Sequence, residues 1–280
     1  REEILSLGGE IQFQAAVSDI VLKNGEITSV RLAGGGEIPC GPLVAAIGHS
    51  ARDTYEMLFS RGIAMAQKPF SVGFRAEHLR EDIDRAMYGK FAGHPLLGAA
   101  SYKLSYREGD RGCYSFCMCP GGSVVNASSE QGRLVTNGMS ERARDGKNSN
   151  SAICVSISGA DFGSDHPLSG IAFQRKLEEA AFVAGGKNFC APVQLLGDYL
   201  NGRCSARFEH VRPSFLPGTR FYDLNLLLPK RINDFMKAGM LRFERKIRGF
   251  TSPGAVLTGI ETRTSAPVRI LRNENLESVS

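Results

Sequence analysis

The sequence lacks the features that define several large classes of protein. It has no run of about 18 apolar residues and no leader of positive and then apolar residues, so we expect neither a membrane span nor a signal peptide. Its net charge of +5 is spread out, without a Lys/Arg-rich block, and we expect no nucleic-acid partner. What remains is a soluble globular protein, as the 42% of hydrophobic and 22% of charged residues also indicate.

Motifs of well-defined spacing are missing too. No Gly-x-Gly-x-x-Gly phosphate loop, no Gly-x-Ser-x-Gly and no His-Glu-x-x-His occurs in the 280 residues. Seven cysteines, an odd number with irregular spacing, indicate a reducing cytoplasm rather than a disulfide framework. Because the chain opens at Arg1 in what reads as the end of a helix, we interpret it as a fragment of a longer protein.

The start of the chain predicts a β-meander. Residues 20–22 and 27–32 form a hairpin with Asn24 and Gly25 at its turn, a pair typical of two-residue hairpins. Residues 37–40 add a third antiparallel strand.

A candidate ligand-binding turn follows the meander. Residues 43–47 are a short, continuous apolar run, which predicts a fully buried strand of a parallel sheet. The run ends at Gly48, His49 and Ser50, before a helix predicted over residues 55–61. Ligands often bind where such a strand passes through a Gly turn into a helix, although the same pattern also forms ordinary connections.

A strand rich in thiols lies near the middle of the chain. Period-two alternation places four side chains on one face: Cys113, Ser115, Cys117 and Cys119. Pro120 ends the strand because it has no N–H to donate, and Gly121 and Gly122 permit backbone shapes closed to other residues. Cys119 is therefore delivered to a loop where backbone can approach a ligand. It is either an inert thiol beside a structural turn or a residue that lines a reactive cofactor.

The cysteines of this strand do not match a zinc site. Structural zinc takes four ligands, commonly on short Cys-x-x-Cys turns, whereas the spacing here is C-x-x-x-C-x-C on a strand. No fourth Cys or His lies nearby in the sequence, so we predict no metal site. We interpret Cys113 and Cys117 as small core hydrophobes.

The remainder of the chain predicts a mixed α+β pattern. Residues 70–77 are strand-like, and residues 192–200 predict a short helix that begins with its proline. Residues 230–247 predict a helix with an apolar, core-facing stripe, and residues 256–270 return to an extended segment.

Six motifs resemble those of a known family. They are CMCPGG at 117–122, NASSE at 126–130, NGMS at 137–140, SNSA at 149–152, AAIGHSARDT at 45–54 and ETRTSAPVRI at 261–270. With these motifs the chain resembles, over nearly its whole length, a family of largely uncharacterised bacterial FAD-dependent dehydrogenases.

The resemblance implies an α+β (mixed α/β) fold. It would comprise part of a two-dinucleotide-type flavin domain, with a β-meander and a parallel strand, and a large inserted α+β substrate domain. We expect residues 1–63 and 256–280 in the FAD-binding domain and residues 64–255 in the insert. FAD would bind the full-length protein but would bind this fragment weakly or not at all, because the phosphate loop is missing.

The resemblance also implies roles for individual residues. Catalytic roles fall to Cys119, Glu130 and Arg263. Cofactor contacts are expected from Gly48, His49, Ser50, Gly121, Gly122, Thr264 and Ser265, and substrate contacts from Asn126, Ser129, Asn137 and Ser140. A cation near the pyrimidine end of a flavin stabilises the reduced anion, which suits Arg263. The alternative is a strand whose Arg263 and Arg269, on one face at period two, pair with surface carboxylates.

The sequence therefore predicts part of a cytoplasmic FAD-dependent oxidoreductase. It would carry out flavin-mediated two-electron transfer on a small molecule, with a nicotinamide as a candidate electron donor. The alternative is a non-catalytic binding domain, or one related to RNA modification, on a flavoprotein-like scaffold.

Overall fold

The computed structural model describes residues 1–278 and divides the chain into two compact units. The smaller unit is Arg1–Ala66 with the segment that begins at Val268, and the larger unit is Gln67–Pro267.

Fourteen strands, seven α-helices and two short 3-10 helices, Gly89–Phe91 and Leu224–Leu226, make up the regular structure of these residues. The strands are β1 (Val17–Lys23), β2 (Glu26–Leu32), β3 (Glu37–Pro39), β4 (Met65–Gln67), β5 (Phe70–Leu79), β6 (Ser105–Glu108), β7 (Arg111–Cys119), β8 (Gly122–Asn126), β9 (Thr136–Ser140), β10 (Asn148–Ile157), β11 (Ala191–Leu195), β12 (Thr219–Phe221), β13 (Val256–Glu261) and β14 (Val268–Ile270). The helices are α1 (Glu2–Ser6), α2 (Arg52–Ser60), α3 (Arg80–Tyr88), α4 (Gly159–Phe162), α5 (Ser169–Gly185), α6 (Leu196–Asn201) and α7 (Lys230–Glu244).

The smaller unit contains the predicted meander. Strands β1, β2 and β3 form an antiparallel sheet in that order, and β4 pairs with β14. Asn24 and Gly25 have φ values of +52° and +82°. These are the two left-handed residues that a two-residue hairpin turn requires, so the sequence pattern located this turn correctly.

Residues 43–47 do not form the predicted parallel strand. Within residues 1–278 no strand pairs with this segment, and the Val44 side chain is 86% exposed. An apolar run becomes a buried parallel strand only when neighbouring strands and covering helices are present. The helix predicted to follow is confirmed as α2.

The larger unit is built on a seven-stranded mixed sheet, which confirms the predicted mixed α/β class. Its strand order is β12-β11-β13-β5-β10-β7-β6, with only the β11–β12 pair parallel. Helix α7 contributes the predicted apolar stripe to the core: Ile232, Met236, Met240 and Phe243 are all buried. No helix in the described part of the chain has both the length and the apolar character needed to cross a membrane.

The second boundary between the units differs from the expected one. We predicted that the chain leaves the insert at residue 256, but β13 pairs with β5 and β11 near the centre of the large sheet. All of β13 is buried there. Only the segment from Val268 onward belongs with the smaller unit.

Candidate functional site

One face of the central strand β5 is polar and nevertheless buried. Its alternating residues divide into an apolar set, Phe70, Val72, Phe74 and Ala76, and a set that contains Ser71, Gly73, Arg75 and Glu77. The apolar set joins the hydrophobic core. Strands β8 and β9 form a separate two-stranded sheet that contacts β5, β7, β10 and β13 of the large sheet. We call Arg75, Glu77, Asn150 and Glu261 the buried polar face.

Arg75 connects five strands of the larger unit. Its Nε donates to Glu261 Oε2 at 2.9 Å, and its Nη2 donates to Glu261 Oε1 at 3.2 Å and to Asn137 Oδ1 at 2.8 Å. Its Nη1 donates to the Cys117 carbonyl at 2.8 Å and to Asn150 Oδ1 at 3.2 Å. A guanidinium group has five N–H donors, so every donor of Arg75 has an acceptor. One side chain, that of Arg75, therefore holds both the Asn137 side chain and the Cys117 carbonyl in place.

Burial raises the pKa values of the two carboxylates on this face. It raises the pKa of Glu261, and the adjacent Arg75 opposes that rise. Burial also raises the pKa of Glu77, which is opposed by hydrogen bonds from Ser214 Oγ at 2.6 Å and Asn148 Nδ2 at 2.9 Å. Low local polarity strengthens each of these interactions and makes an unpaired charge there costly.

A β-bulge breaks the predicted alternation of cysteines in β7. The register of β7 against β10 shifts between Phe116 and Cys119, and Cys117 has a φ of +39°. Cys117 is consequently exposed, so its interpretation as a core residue was wrong. Cys113 is fully buried, as predicted. The bulge also turns the Cys117 carbonyl towards Arg75.

Cys119 lies at the end of β7 and is 9% exposed. Its Sγ donates to the Cys117 carbonyl at 3.2 Å. Burial raises the pKa of Cys119, and Arg75 only opposes that rise. An activated thiol has the opposite shift, since its pKa is lowered.

We expect a thiol reagent at neutral pH to modify Cys117 at least about tenfold faster than Cys119, because burial suppresses both access and thiolate formation. The measurement is a short iodoacetamide pulse followed by peptide mass spectrometry. The same pulse in denaturant, where both thiols should react alike, is the control. Equal rates of modification of Cys117 and Cys119 in the folded chain would contradict the conclusion that the Cys119 thiol is protected by burial.

The predicted glycine site is the base of the β8–β9 hairpin. Gly121 has a φ of +52°, and a Cβ added there would lie 2.0 Å from the Arg144 carbonyl oxygen. A Cβ at Gly122 would lie 2.3 Å from the Met139 carbonyl oxygen. Ser140 Oγ donates to the Pro120 carbonyl at 2.9 Å. Packing within the chain therefore favours glycine at positions 121 and 122, while the ligand contacts predicted for Gly121, Gly122 and Ser140 stay predictions.

A second buried ion pair holds Arg263. Its Nη2 lies 3.1 Å from Glu178 Oε2 of α5, and its Nη1 donates to Ser129 Oγ. Thr262 Oγ1 also donates to Glu178, at 2.6 Å. Arg263 thus pairs with a carboxylate of this protein, but Glu178 is buried, whereas the alternative reading of the sequence expected surface carboxylates.

The loop between β8 and β9 is fixed by a further ion pair. Arg175 Nη2 of α5 lies 2.7 Å from Glu130 Oε1. Together with the Ser129–Arg263 contact, this pair holds the loop to α5 and to the segment after β13. The structure thus brings Ser129 and Arg263 into contact and places Glu130 in the same loop.

The remaining predicted residues occupy separate places. Thr264 Oγ1 accepts from Ser71 N at 3.0 Å and donates to the Ser71 carbonyl at 3.1 Å. Asn126 is exposed, and its Oδ1 accepts from Ser128 N. Ser265 is half-buried. Gly48, His49 and Ser50 belong to the smaller unit, where Gly48 and His49 are exposed.

Sequence reasoning missed Arg75 and Glu178, the two charged residues that organise the site. Arg75 lies in a segment recognised only as a strand, and Glu178 in a helix. A signal was present for Arg75, because a central strand with charged residues on one face needs a partner for that face.

Two buried groups of the site, Thr136 Oγ1 and Asn150 Nδ2, have no hydrogen-bond partner among the residues described. Within residues 1–278 no group of three or more His, Cys, Asp or Glu is arranged to hold a metal ion.

Comparison with known proteins shows similarity to a protein family and to a bacterial protein. The family described as FAD-dependent protein, C-terminal domain-like, matches residues 69–264. An uncharacterised protein of Clostridium beijerinckii is 49% identical over 282 residues, which cover 100% of this chain and 53% of that protein. The chain therefore spans about half the length of the curated relative that it matches.

Proposed function

This chain belongs to the FAD-dependent protein, C-terminal domain-like family, and from that premise we propose that it is part of an FAD-dependent oxidoreductase. The reaction is a flavin-mediated two-electron transfer on a small molecule. The observation that supports this best is the buried polar face, where Arg75 fixes several polar groups in one place. Arg75 thereby holds Asn137 of the β8–β9 hairpin in position, and a bound flavin would supply the redox chemistry.

The groups of this chain do not form a complete flavin site by themselves. The Thr264 hydroxyl is engaged with Ser71, and Arg263 is engaged with Glu178 and Ser129. Gly121 packs against the Arg144 carbonyl rather than facing open space. The remainder of a cofactor site, including its phosphate-binding part, would come from the rest of the full-length protein.

The β8–β9 hairpin and its loop are the proposed substrate-facing part. Asn137 and Cys119 adjoin the Arg75 cluster, while Glu130 and Arg263 hold the loop in place. The nicotinamide donor and the cytoplasmic location remain part of the proposal. The odd number and irregular spacing of the seven cysteines support a reducing compartment.

A non-catalytic binding domain is the second candidate. The raised pKa of the buried Cys119 thiol favours it, since that thiol is not activated for chemistry. The two candidates differ in whether the full-length protein holds a redox-active flavin.

We expect this chain alone to bind FAD weakly, because it has no Gly-x-Gly-x-x-Gly loop to hold the pyrophosphate at a helix N-terminus. Purified chain should be colourless and should retain no FAD after equilibrium dialysis. The longer natural protein, dialysed in parallel, is the control. A yellow chain with stoichiometric FAD would contradict this expectation.

A further inference from the structure

Two cysteines lie close together at the β-bulge in β7. Cys117 is exposed, whereas Cys119, two residues later, is 9% exposed. Cys119 Sγ lies 3.2 Å from the Cys117 carbonyl oxygen, and that oxygen is two bonds from the Cys117 Cα. The Cys119 sulfur therefore lies within about 6 Å of the Cα atom that carries the Cys117 thiol. Rotation of the exposed Cys117 side chain about its Cα–Cβ bond turns its sulfur towards that of Cys119.

The backbone at Cys117 is strained, with a φ of +39°. Residues other than glycine rarely adopt a positive φ, and those that do are found preferentially at functional sites. The next residue, Met118, is partly buried and packs against the hydrophobic core. The bulge therefore presents one thiol to solvent without opening the core beneath it.

The guanidinium group of Arg75 lies beside both cysteines. Its Nη1 donates to the Cys117 carbonyl at 2.8 Å. A Cβ added at Gly138 would lie 2.5 Å from Arg75 Nη1 and 2.9 Å from Cys119 Sγ, so this cation and the Cys119 sulfur are neighbours. A neighbouring cation stabilises a thiolate and opposes the rise that burial causes in the pKa of Cys119. Cys117 is thus placed to meet a reagent from solvent, and Cys119 is placed to react in a second, intramolecular step.

We propose that Cys117 and Cys119 form a redox-active dithiol that exchanges with a small-molecule disulfide. The Cys117 thiolate attacks one sulfur of that disulfide, whose S–S bond breaks, so that one thiolate leaves and a mixed disulfide forms. The Cys119 thiol then loses its proton to water, and its sulfur attacks Cys117 Sγ and releases the second thiolate. The protein gives up two electrons and two protons, and the small disulfide becomes two thiols. This activity goes beyond the proposed flavin chemistry, and its test requires no flavin.

The test is treatment of the chain with oxidised glutathione, followed by peptide mass spectrometry under non-reducing conditions. We expect the peptide that contains Cys117 and Cys119 to lose two hydrogens and to keep no glutathione. Cys113→Ser, which removes the third thiol of β7, should give the same product and so identify the bonded pair. A lasting glutathione adduct on Cys117 with Cys119 still reduced, or no reaction at Cys117, would overturn the proposal.

Two variants separate the roles of the two thiols. Cys119→Ser should accumulate the glutathione adduct on Cys117 to at least about ten times the level in the unaltered chain, because no second thiol displaces the glutathione. Cys117→Ser should leave Cys119 reduced. Cys204, another exposed thiol, should react equally in all these proteins and is the internal control. Equal adduct on Cys117 in Cys119→Ser and the unaltered chain would contradict the role of Cys119. If a variant does not fold, the peptide map of the unaltered chain still decides.

Discussion

Replacing Arg75 with methionine is expected to lower the free energy of unfolding of the larger unit by about 3–5 kcal/mol. The substitution leaves the buried Glu261 carboxylate without its cation and removes the donors to Asn137, Asn150 and the Cys117 carbonyl. Breaking one side of a buried ion pair costs more than the pair contributes, because the remaining charge stays desolvated. Urea unfolding followed by circular dichroism measures the loss.

The matched control for this prediction is Arg85→Met. Arg85 pairs with Asp82 on the surface, where its side chain is 67% exposed. Surface ion pairs contribute roughly 0–1 kcal/mol, so this variant should unfold almost as the parent does. A second comparison uses the double variant Arg75→Met with Glu261→Met, which should be more stable than Arg75→Met alone. Similar losses at Arg75 and Arg85 would contradict the role assigned to the buried polar face.

Gly121→Ala is expected to destabilise the larger unit by about 2–5 kcal/mol. Alanine would adopt a φ of +52° under strain, and its Cβ would lie 2.0 Å from the Arg144 carbonyl oxygen. The base of the β8–β9 hairpin would have to move away from residues 144–146. The sequence argument instead predicts that this change weakens cofactor binding. The free energy of unfolding of the chain without any cofactor distinguishes these two explanations, because only the packing explanation predicts that it falls.

Gly132→Ala provides the control, since Gly132 has a φ of +71° but no atom within 4 Å of an added Cβ. It carries the backbone strain without the collision and should lose roughly 1 kcal/mol. If both variants lose the same stability, packing at the hairpin base is not the reason for Gly121.

Local periodicity predicted the elements that local interactions determine. The apolar spacing in α7 and the Asn24-Gly25 turn specify their structures within a few residues, so both were correct. Residues 192–200 were predicted as one helix, but β11 and α6 divide that segment at Leu195. A short apolar run is compatible with either element, and pairing with β12 and β13 decides the matter.

Local patterns could not predict the candidate site, because contacts between residues far apart in the sequence form it. Arg75 reaches Glu261, 186 residues away, and Arg263 reaches Ser129, 134 residues away. Alternation in β5 predicts an apolar and a polar face, but only the position of β8 and β9 explains why the polar face is buried. The bulge at Cys117 likewise reverses the exposure that strict alternation predicts.

The flavin content of the full-length natural protein tests the central proposal most directly. Protein purified without added cofactor should contain about one FAD per chain, and anaerobic addition of a reduced nicotinamide should bleach its absorbance near 450 nm. Full-length protein that is folded, colourless and unable to take up FAD would contradict the assignment and leave the binding-domain alternative.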